Sequence, residues 1–273
     1  MLTIASNVQS LMITNNLNNI TKNISDTTTR ISTGKRINSA SDDPAGLQIS
    51  TRMKTSIHGY GMAKQNISQG QAILNVMDAG LQGGVEILQS MRQLALESKN
   101  DTLSNEQRNS IQESFSALQK QYDQTISGSE LFGKNLLENG AEDINIQSGI
   151  EAGQYSILSA VDSSSLTLGI DSGSIDISSI SNSDLTIENL DTALETLSRN
   201  QAVVGAQYNG LESRMNVIDD ISENTTDALS RVEDADMANE TSKLQLLRVQ
   251  QQMAMQALSF VNQAPSNILS LLR

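Results

Sequence analysis

Stepping +4, +3 from Leu190 lands on Leu194, Leu197, Gln201, Val204, Tyr208, Leu211, Met215, Ile218, Ser222, Thr225, Leu229 and Val232. Ten of these thirteen positions are apolar or tyrosine. A 3.5-residue period held this long specifies a coiled-coil helix, because that spacing keeps one seam turned toward a partner helix. At 1.5 Å per residue, residues 190–232 span about 64 Å. The rest of the chain must supply its partners. Gln201, Ser222 and Thr225 interrupt the seam and read as register or spacing features rather than a site.

Two other runs keep the same beat. One is Leu74, Met77, Leu81, Gly84, Leu88, Met91 and Ala95; the other is Ile111, Phe115, Leu118 and Tyr122. Lys99 to Thr102 reads as the turn between them. Gly80, Gly83 and Gly84 interrupt the first run. Glycine costs about 1 kcal/mol against alanine inside a helix, so this cluster is expected to admit a close neighbour. Ser41-Asp42-Asp43-Pro44 marks a helix start, with Asp43 as the cap and Pro44 at the first helical position. Near the chain ends, Ile13, Leu17, Ile20, Ile24 and Ile31 form one narrow stripe, and Leu244, Leu247, Ala254, Leu258 and Val261 form another. Leu269, Leu271 and Leu272 close the chain. Opposite these stripes lie Asn, Gln, Ser and Thr rather than charge, which suits a crowded multi-helix assembly. Met91, Met253 and Met255 are expected as seam filler.

The middle has a different texture. Short alternations at Ile144/Ile146, Tyr155/Ile157 and Ile175/Ile177, with Gly149 and Gly153 between the first two, predict one or two β-hairpins. Residues 159–184, dominated by Ser, Asp and Gly with isolated Ile and Leu, read as a surface excursion. Residues 130–188 hold ten acidic side chains and one lysine, which accounts for most of the net charge of −13. The charge disfavours nucleic acid, whose phosphates need a basic footprint. The reading here is a solvated acidic loop region.

Composition closes further options. The absence of cysteine rules out disulfides and thiolate metal sites. Aromatic residues make up 3% of the chain, so its cores are expected to be thin seams of Leu, Ile, Val and Met. The first ten residues lack the basic and apolar regions of a secretory signal, and no apolar run is long enough to span a membrane. His58 is the only histidine, which excludes a two-histidine zinc peptidase and leaves little for a serine triad. Thr33-Gly34-Lys35-Arg36 lacks the second glycine and the hydroxyl residue of a phosphate loop. No enzyme activity, cofactor or metal is expected.

Two stretches at opposite ends carry a resemblance. RISTGKRINSASDDPAGLQIS (Arg30 to Ser50) and NQAPSNILSLLR at the C-terminus resemble the terminal regions of bacterial flagellin, the flagellar filament subunit. RVEDADMANETSKLQLLRVQQQMAMQAL (Arg231 to Leu258), LFGKNLLENG (Leu131 to Gly140) and INIQSGIEAGQYSI (Ile144 to Ile157) are similar to further segments of the family. The resemblance covers roughly residues 1–157 and 190–273. Together with the periodicity it implies a mainly α fold: an elongated bundle of long coiled-coil helices formed by both chain ends, with a small β-hairpin region in the middle.

By resemblance, residues 1–32 plus 233–273 form the terminal-helix domain lining the filament interior. Residues 33–130 plus 190–232 form the outer helical bundle, and 131–189 a short β-hairpin and variable surface segment. The expected self-assembly residues are Ile13, Leu17, Ile20, Ile24, Ile31, Leu244, Leu247, Leu258, Val261, Leu269 and Leu272; Gly34, Arg36, Asp42, Asp43 and Pro44 form the connector and helix start. Fixing one residue's backbone costs about 1–2 kcal/mol, and one buried aliphatic side chain per turn returns about 1.5–3 kcal/mol, so stripes this narrow need each other and neighbouring subunits. The implied partners are further copies in a helical homopolymer, the flagellar type III export apparatus with an export chaperone, and the hook-associated and filament cap proteins. The implied location is the extracellular filament of a secreted protein. A hook–filament junction protein shares the long-helix plan, but RINSASDDPAG and the full SNILSLLR ending favour flagellin. The mammalian toll-like receptor for flagellin reads a bundle patch matched here by Leu88, Gln89, Ser90, Arg92 and Leu94. Ser90 replaces an arginine of stimulating members and Ser114 stands at an acidic position, so weakened recognition is expected.

Overall fold

The computed structural model describes the backbone of residues 7–271 and the side chains of residues 7–263. In chain order the elements are α1 (Val8–Thr33), α2 (Pro44–Ser98), α3 (Asn105–Ser127), β1 (Ile144–Gln147), β2 (Tyr155–Leu158), α4 (Ile180–Glu233) and α5 (Met237–Leu271). The chain divides into two compact units, one of Met1–Ile57 with Glu223–Arg273 and one of His58–Ser222.

In the unit of residues 58–222, the heptad stripes face inward. Every seam position of α2 from Leu74 to Ala95 is buried, and the α4 seam from Leu190 to Ile218 is buried or half-buried throughout. Phe115 and Tyr122 of α3 are fully buried beside them. The glycine cluster does what its position predicts. A Cβ on Gly80 would collide with Ser129 and Leu137, one on Gly83 would lie 3.2 Å from Thr125, and one on Gly84 would lie 3.0 Å from Tyr122 and 3.4 Å from Leu197. Gly70 serves the same purpose for Leu211 and Ile146.

The ends of α2 and α3 are closed by specific groups. Asp43 accepts the Gly46 N–H at 2.9 Å and so caps α2, with Pro44 at its first position. At the other end, the buried guanidinium of Arg108 donates to the carbonyl of Ser98, the last residue of α2. A positive side chain at that end complements the helix dipole. Ser104 and Gln107 form a reciprocal capping box at the start of α3.

β1 and β2 pair antiparallel, with Ile144 opposite Leu158 and Gln147 opposite Tyr155. Asn66 of α2 and Arg214 of α4 donate to the Gln147 and Ser148 carbonyls at 3.1 and 3.2 Å, holding the hairpin on both helices. There is one hairpin among the described residues. Ile175 and Ile177 alternate like a strand but lie in irregular chain, where both are buried.

Residues 159–179 are not a surface excursion. Val161, Leu168, Ile170, Ile175 and Ile177 enter the same core as α2, α3 and α4. The Tyr122 hydroxyl donates to the Ser163 carbonyl at 2.6 Å, Gln119 to that of Ile170 at 3.1 Å, and Ile177 N–H to Gln112 at 2.8 Å. Burial drives the Tyr122 hydroxyl above its ordinary pKa, so it stays a neutral donor. The acidic side chains here build turns. Asp162 accepts from Ser164, Thr167 and Asn139, Asp171 from Ser174 and Gly173, and Asp176 from Ser178 and Asn182. Burial pushes the Asp162 and Asp176 carboxyls up, but these hydrogen bonds outweigh it and hold both below their ordinary values. Asp171 is held low by Ser174 first and then by Gly173. Ser179 accepts the Asn182 N–H and starts α4 ten residues before the heptad run.

Candidate assembly surface

In the other unit, α1 and α5 pack antiparallel. Asn7 donates to the Val261 carbonyl, Ser10 pairs with Asn262, Thr21 with Gln251, and Arg30 with Glu240 at 3.5 Å. The two predicted stripes meet along this line. Ile13, Leu17, Ile24 and Ile31 are half-buried and Ile20 is buried; on α5, Leu244, Ala254, Leu258 and Val261 are half-buried and Leu247 is buried. Leu269 and Leu272 lie outside the residues whose side chains are described.

Pairing leaves a second set of large apolar side chains in solvent. Val8, Leu11 and Met12 of α1 and Leu246, Val249, Met253, Met255 and Phe260 of α5 are all exposed, Met253 by 63% and Phe260 by 73%. The expectation that Met253 and Met255 fill a seam inside the subunit therefore fails, whereas Met91 is fully buried as expected. α5 turns apolar side chains to more than one side, and a single partner helix covers only one.

The connector between α1 and α2 is a built junction. Gly34 ends α1 with φ of +70°, a left-handed turn that suits glycine. Lys35 then bridges Asp234; Arg36 N–H donates to the Glu233 carbonyl at 2.7 Å, and Ala235 N–H to that of Gly34 at 2.9 Å. The Arg36 guanidinium reaches the Val232 carbonyl at 2.7 Å. Asp42 accepts the N–H groups of Asn38 and Ser39 and lies 3.8 Å from Arg30; the two N–H groups, Asn38 first, hold its carboxyl below the ordinary value. Ile37 is buried against Gly46, where a Cβ would meet Ile37 and Asp43.

At the centre is Glu233, the last residue of α4, whose side chain is 6% exposed. Lys35 reaches it at 2.7 Å and Lys54 of α2 at 2.5 Å. Burial alone would raise the Glu233 carboxyl, but hydrogen bonds from Lys35 and then Lys54 outweigh it and hold it below the ordinary value. The same contact raises Lys35. Asp236 caps α5 immediately beyond. Glu233 was not singled out from sequence. Its only sign there is its place in RVEDAD, where one of three carboxylates looks like any other surface charge.

Residues 4–141 match the bacterial flagellin N-terminal helical region, and residues 187–272 match the C-terminal helical region. The chain belongs to the bacterial flagellin family. It is 31% identical to the flagellin of Listeria innocua over 89% of this chain and 90% of that one, and 30% identical to that of Bacillus subtilis over 89% and 91%. A flagellin from Bacillus cereus superposes with a TM-score of 0.51 at 25% identity, covering 56% of this chain and 88% of that one. A putative flagellar hook-associated protein from Vibrio parahaemolyticus superposes with a TM-score of 0.60 over 71% of this chain and 100% of that one. At 13% identity this shows a shared fold alone, and the junction-protein alternative is not favoured. Flagellins are structural proteins, and this chain is a subunit that polymerises into the bacterial flagellar filament of motility, an extracellular structure whose assembly involves other flagellar proteins.

The receptor-patch positions lie in the other unit. Leu88 is fully buried, Arg92 and Leu94 are half-buried, and Gln89, Ser90 and Ser114 are exposed. The Ser90 and Ser114 hydroxyls fold back onto the Glu86 and Ser110 carbonyls of their own helices. Arg92 is held by both oxygens of Asp191, at 2.6 and 3.3 Å.

Proposed function

We propose that residues 1–32 plus 233–273 line the filament interior and that 33–130 plus 190–232 form its outer bundle, which carries the short β-hairpin of 131–158. The observation that carries this reading is the apolar surface left exposed on the paired terminal helices, Leu11, Met12, Val249, Met253 and Phe260 among it. A set of large apolar side chains left exposed on one helix pair supports an interaction surface, and a homopolymer supplies matching copies. Ile13, Leu17, Ile20, Ile24, Ile31, Leu244, Leu247, Leu258 and Val261, together with Leu269 and Leu272 beyond the described side chains, are the self-assembly residues. Gly34, Arg36, Asp42, Asp43 and Pro44 form the connector and the start of α2. The subunit is secreted unfolded through the flagellar type III export apparatus with an export chaperone and added beneath the filament cap. Recognition by the mammalian toll-like receptor for flagellin is weakened, because Ser90 and Ser114 offer no charge and Arg92 is already engaged by Asp191.

Deleting residues 244–273 tests the central reading. Filaments should be lost, while most of the helical circular dichroism of the bundle remains. Normal filaments from the truncated chain would overturn the assignment of the terminal pair.

A further inference from the structure

One turn in the unit of residues 58–222 is anomalous for a protein at rest in water. Leu131 and Lys134 exchange backbone hydrogen bonds of 3.0 and 2.9 Å, closing a two-residue turn over Phe132 and Gly133. Both central residues have positive φ, +54° and +70°. Phe132 is the sole non-glycine residue with positive φ among the described residues. Such turns favour Asn or Gly at the first position, where a bulky side chain is strained. The residue is also 71% exposed. The subunit thus holds an apolar ring in solvent on a strained backbone, and neither feature stabilises the monomer.

A recess of matching size lies on the same unit. Leu74, Asn75 and Asp78 of α2 and Val204, Gly205 and Tyr208 of α4 line an open cavity of about 230 Å³. A cavity of about 150 Å³ suffices for a benzene ring. Leu74 and Val204 form a buried apolar floor. Gly205 sits inside α4, yet a Cβ there would meet nothing within 4 Å. No close approach within the subunit demands this glycine, and it costs about 1 kcal/mol against alanine. Charge agrees as well. Lys134, two residues from Phe132, is the one basic residue of 130–188, and Asp78 stands at the recess. Among the described residues no ion pair joins either to another side chain. The loop carrying the turn packs on Gly80 of α2, two residues from Asp78 and so on another face of the helix.

We propose that Phe132 of one subunit enters the α2–α4 recess of a neighbouring copy, with Lys134 meeting Asp78. A protrusion and a recess on different surfaces of one chain make a heterologous contact, the kind that propagates into an open helical polymer. The proposal rests on the filament role and names one of its contacts.

The test is elongation of purified subunits from filament seeds. Phe132→Asn suits the turn better than phenylalanine, and Gly205→Leu places a good helix former in the recess. Each should raise the critical concentration about tenfold or more, as for a central interface anchor, while the monomer's Tm holds or rises. An unchanged critical concentration in both would overturn the proposal and leave the filament role intact; wild-type protein that fails to elongate would overturn both. A Tm falling in step with elongation would also overturn it, assigning both residues to the subunit's own fold. The chain lacks cysteine, so Lys134→Cys/Asp78→Cys gives a second readout that keeps Phe132. Oxidised filaments should yield a reducible ladder of covalent oligomers, and monomer alone would count against the contact. If that variant does not elongate, the two critical concentrations decide.

Discussion

The α2–α3–α4 bundle and the α1–α5 pair are written in the same language of apolar residues three and four apart, yet they are packed differently. In the bundle the seams of α2, α3 and α4 share one core with the clip of residues 159–179, and Leu74, Leu81, Leu88, Phe115 and Tyr122 are fully buried. In the terminal pair each stripe meets one helix, and of the described stripe residues only Ile20 and Leu247 are buried. The periodicity sets the side of a helix that turns inward. The number of partners sets how much burial results, and for α1 and α5 the subunit supplies one.

The largest effect that would sharpen this contrast is expected from the clip. Replacing residues 160–182 by a Gly/Ser linker removes five core side chains, each worth about 1.5–3 kcal/mol. That is most of a domain's usual 5–15 kcal/mol. Thermal unfolding followed by circular dichroism should lose the bundle's cooperative transition. An unchanged transition would show that three helices suffice and that the clip is packing without consequence.

Glu233→Gln should act on the junction, at a cost of about 1.5–3 kcal/mol at neutral pH, the range for hydrogen bonds to charged groups. The sign of its pH dependence follows from the lowered carboxyl. The native state favours the ionised form, so the contribution is complete above the unfolded glutamate value of about 4.3. It disappears as pH falls through the lower folded value. Denaturation of wild type and variant should differ by a constant amount above about pH 5 and converge in more acidic solution. A difference that grew on acidification would refute the ion-pair account.

Smallest in the monomer is Met253→Ser. An exposed side chain away from caps and ion pairs usually changes stability by about 0.5 kcal/mol or less. Seeded elongation should nonetheless slow, because that side chain is available to a neighbour. Equal elongation would break the comparison by showing that the exposed face of α5 is not used.

Much of the fold was legible in the chain. The heptad stripes, the turn after Ser98, the Asp43 cap, the first hairpin and the glycine cluster are all found where local pattern and spacing place them. Residues 159–179 were not legible, because isolated Ile and Leu among serines and aspartates have no period, and only the helices beneath decide that Val161, Ile170 and Ile177 go inward. Met253 and Met255 failed in the opposite direction: composition reports that they are apolar but not whether a partner exists.

The amino-acid order by itself determined where helices run and which stripe of each is apolar, since these depend on neighbours three and four residues away, and its continuous end stretches showed which family the ends resemble. Tertiary structure alone decided the rest. Glu233 meets Lys35 and Lys54 from segments roughly 180–200 residues distant, and the recess at Gly205 needs α2 beside α4. Contacts between distant segments are fixed by packing geometry, which no local spacing records.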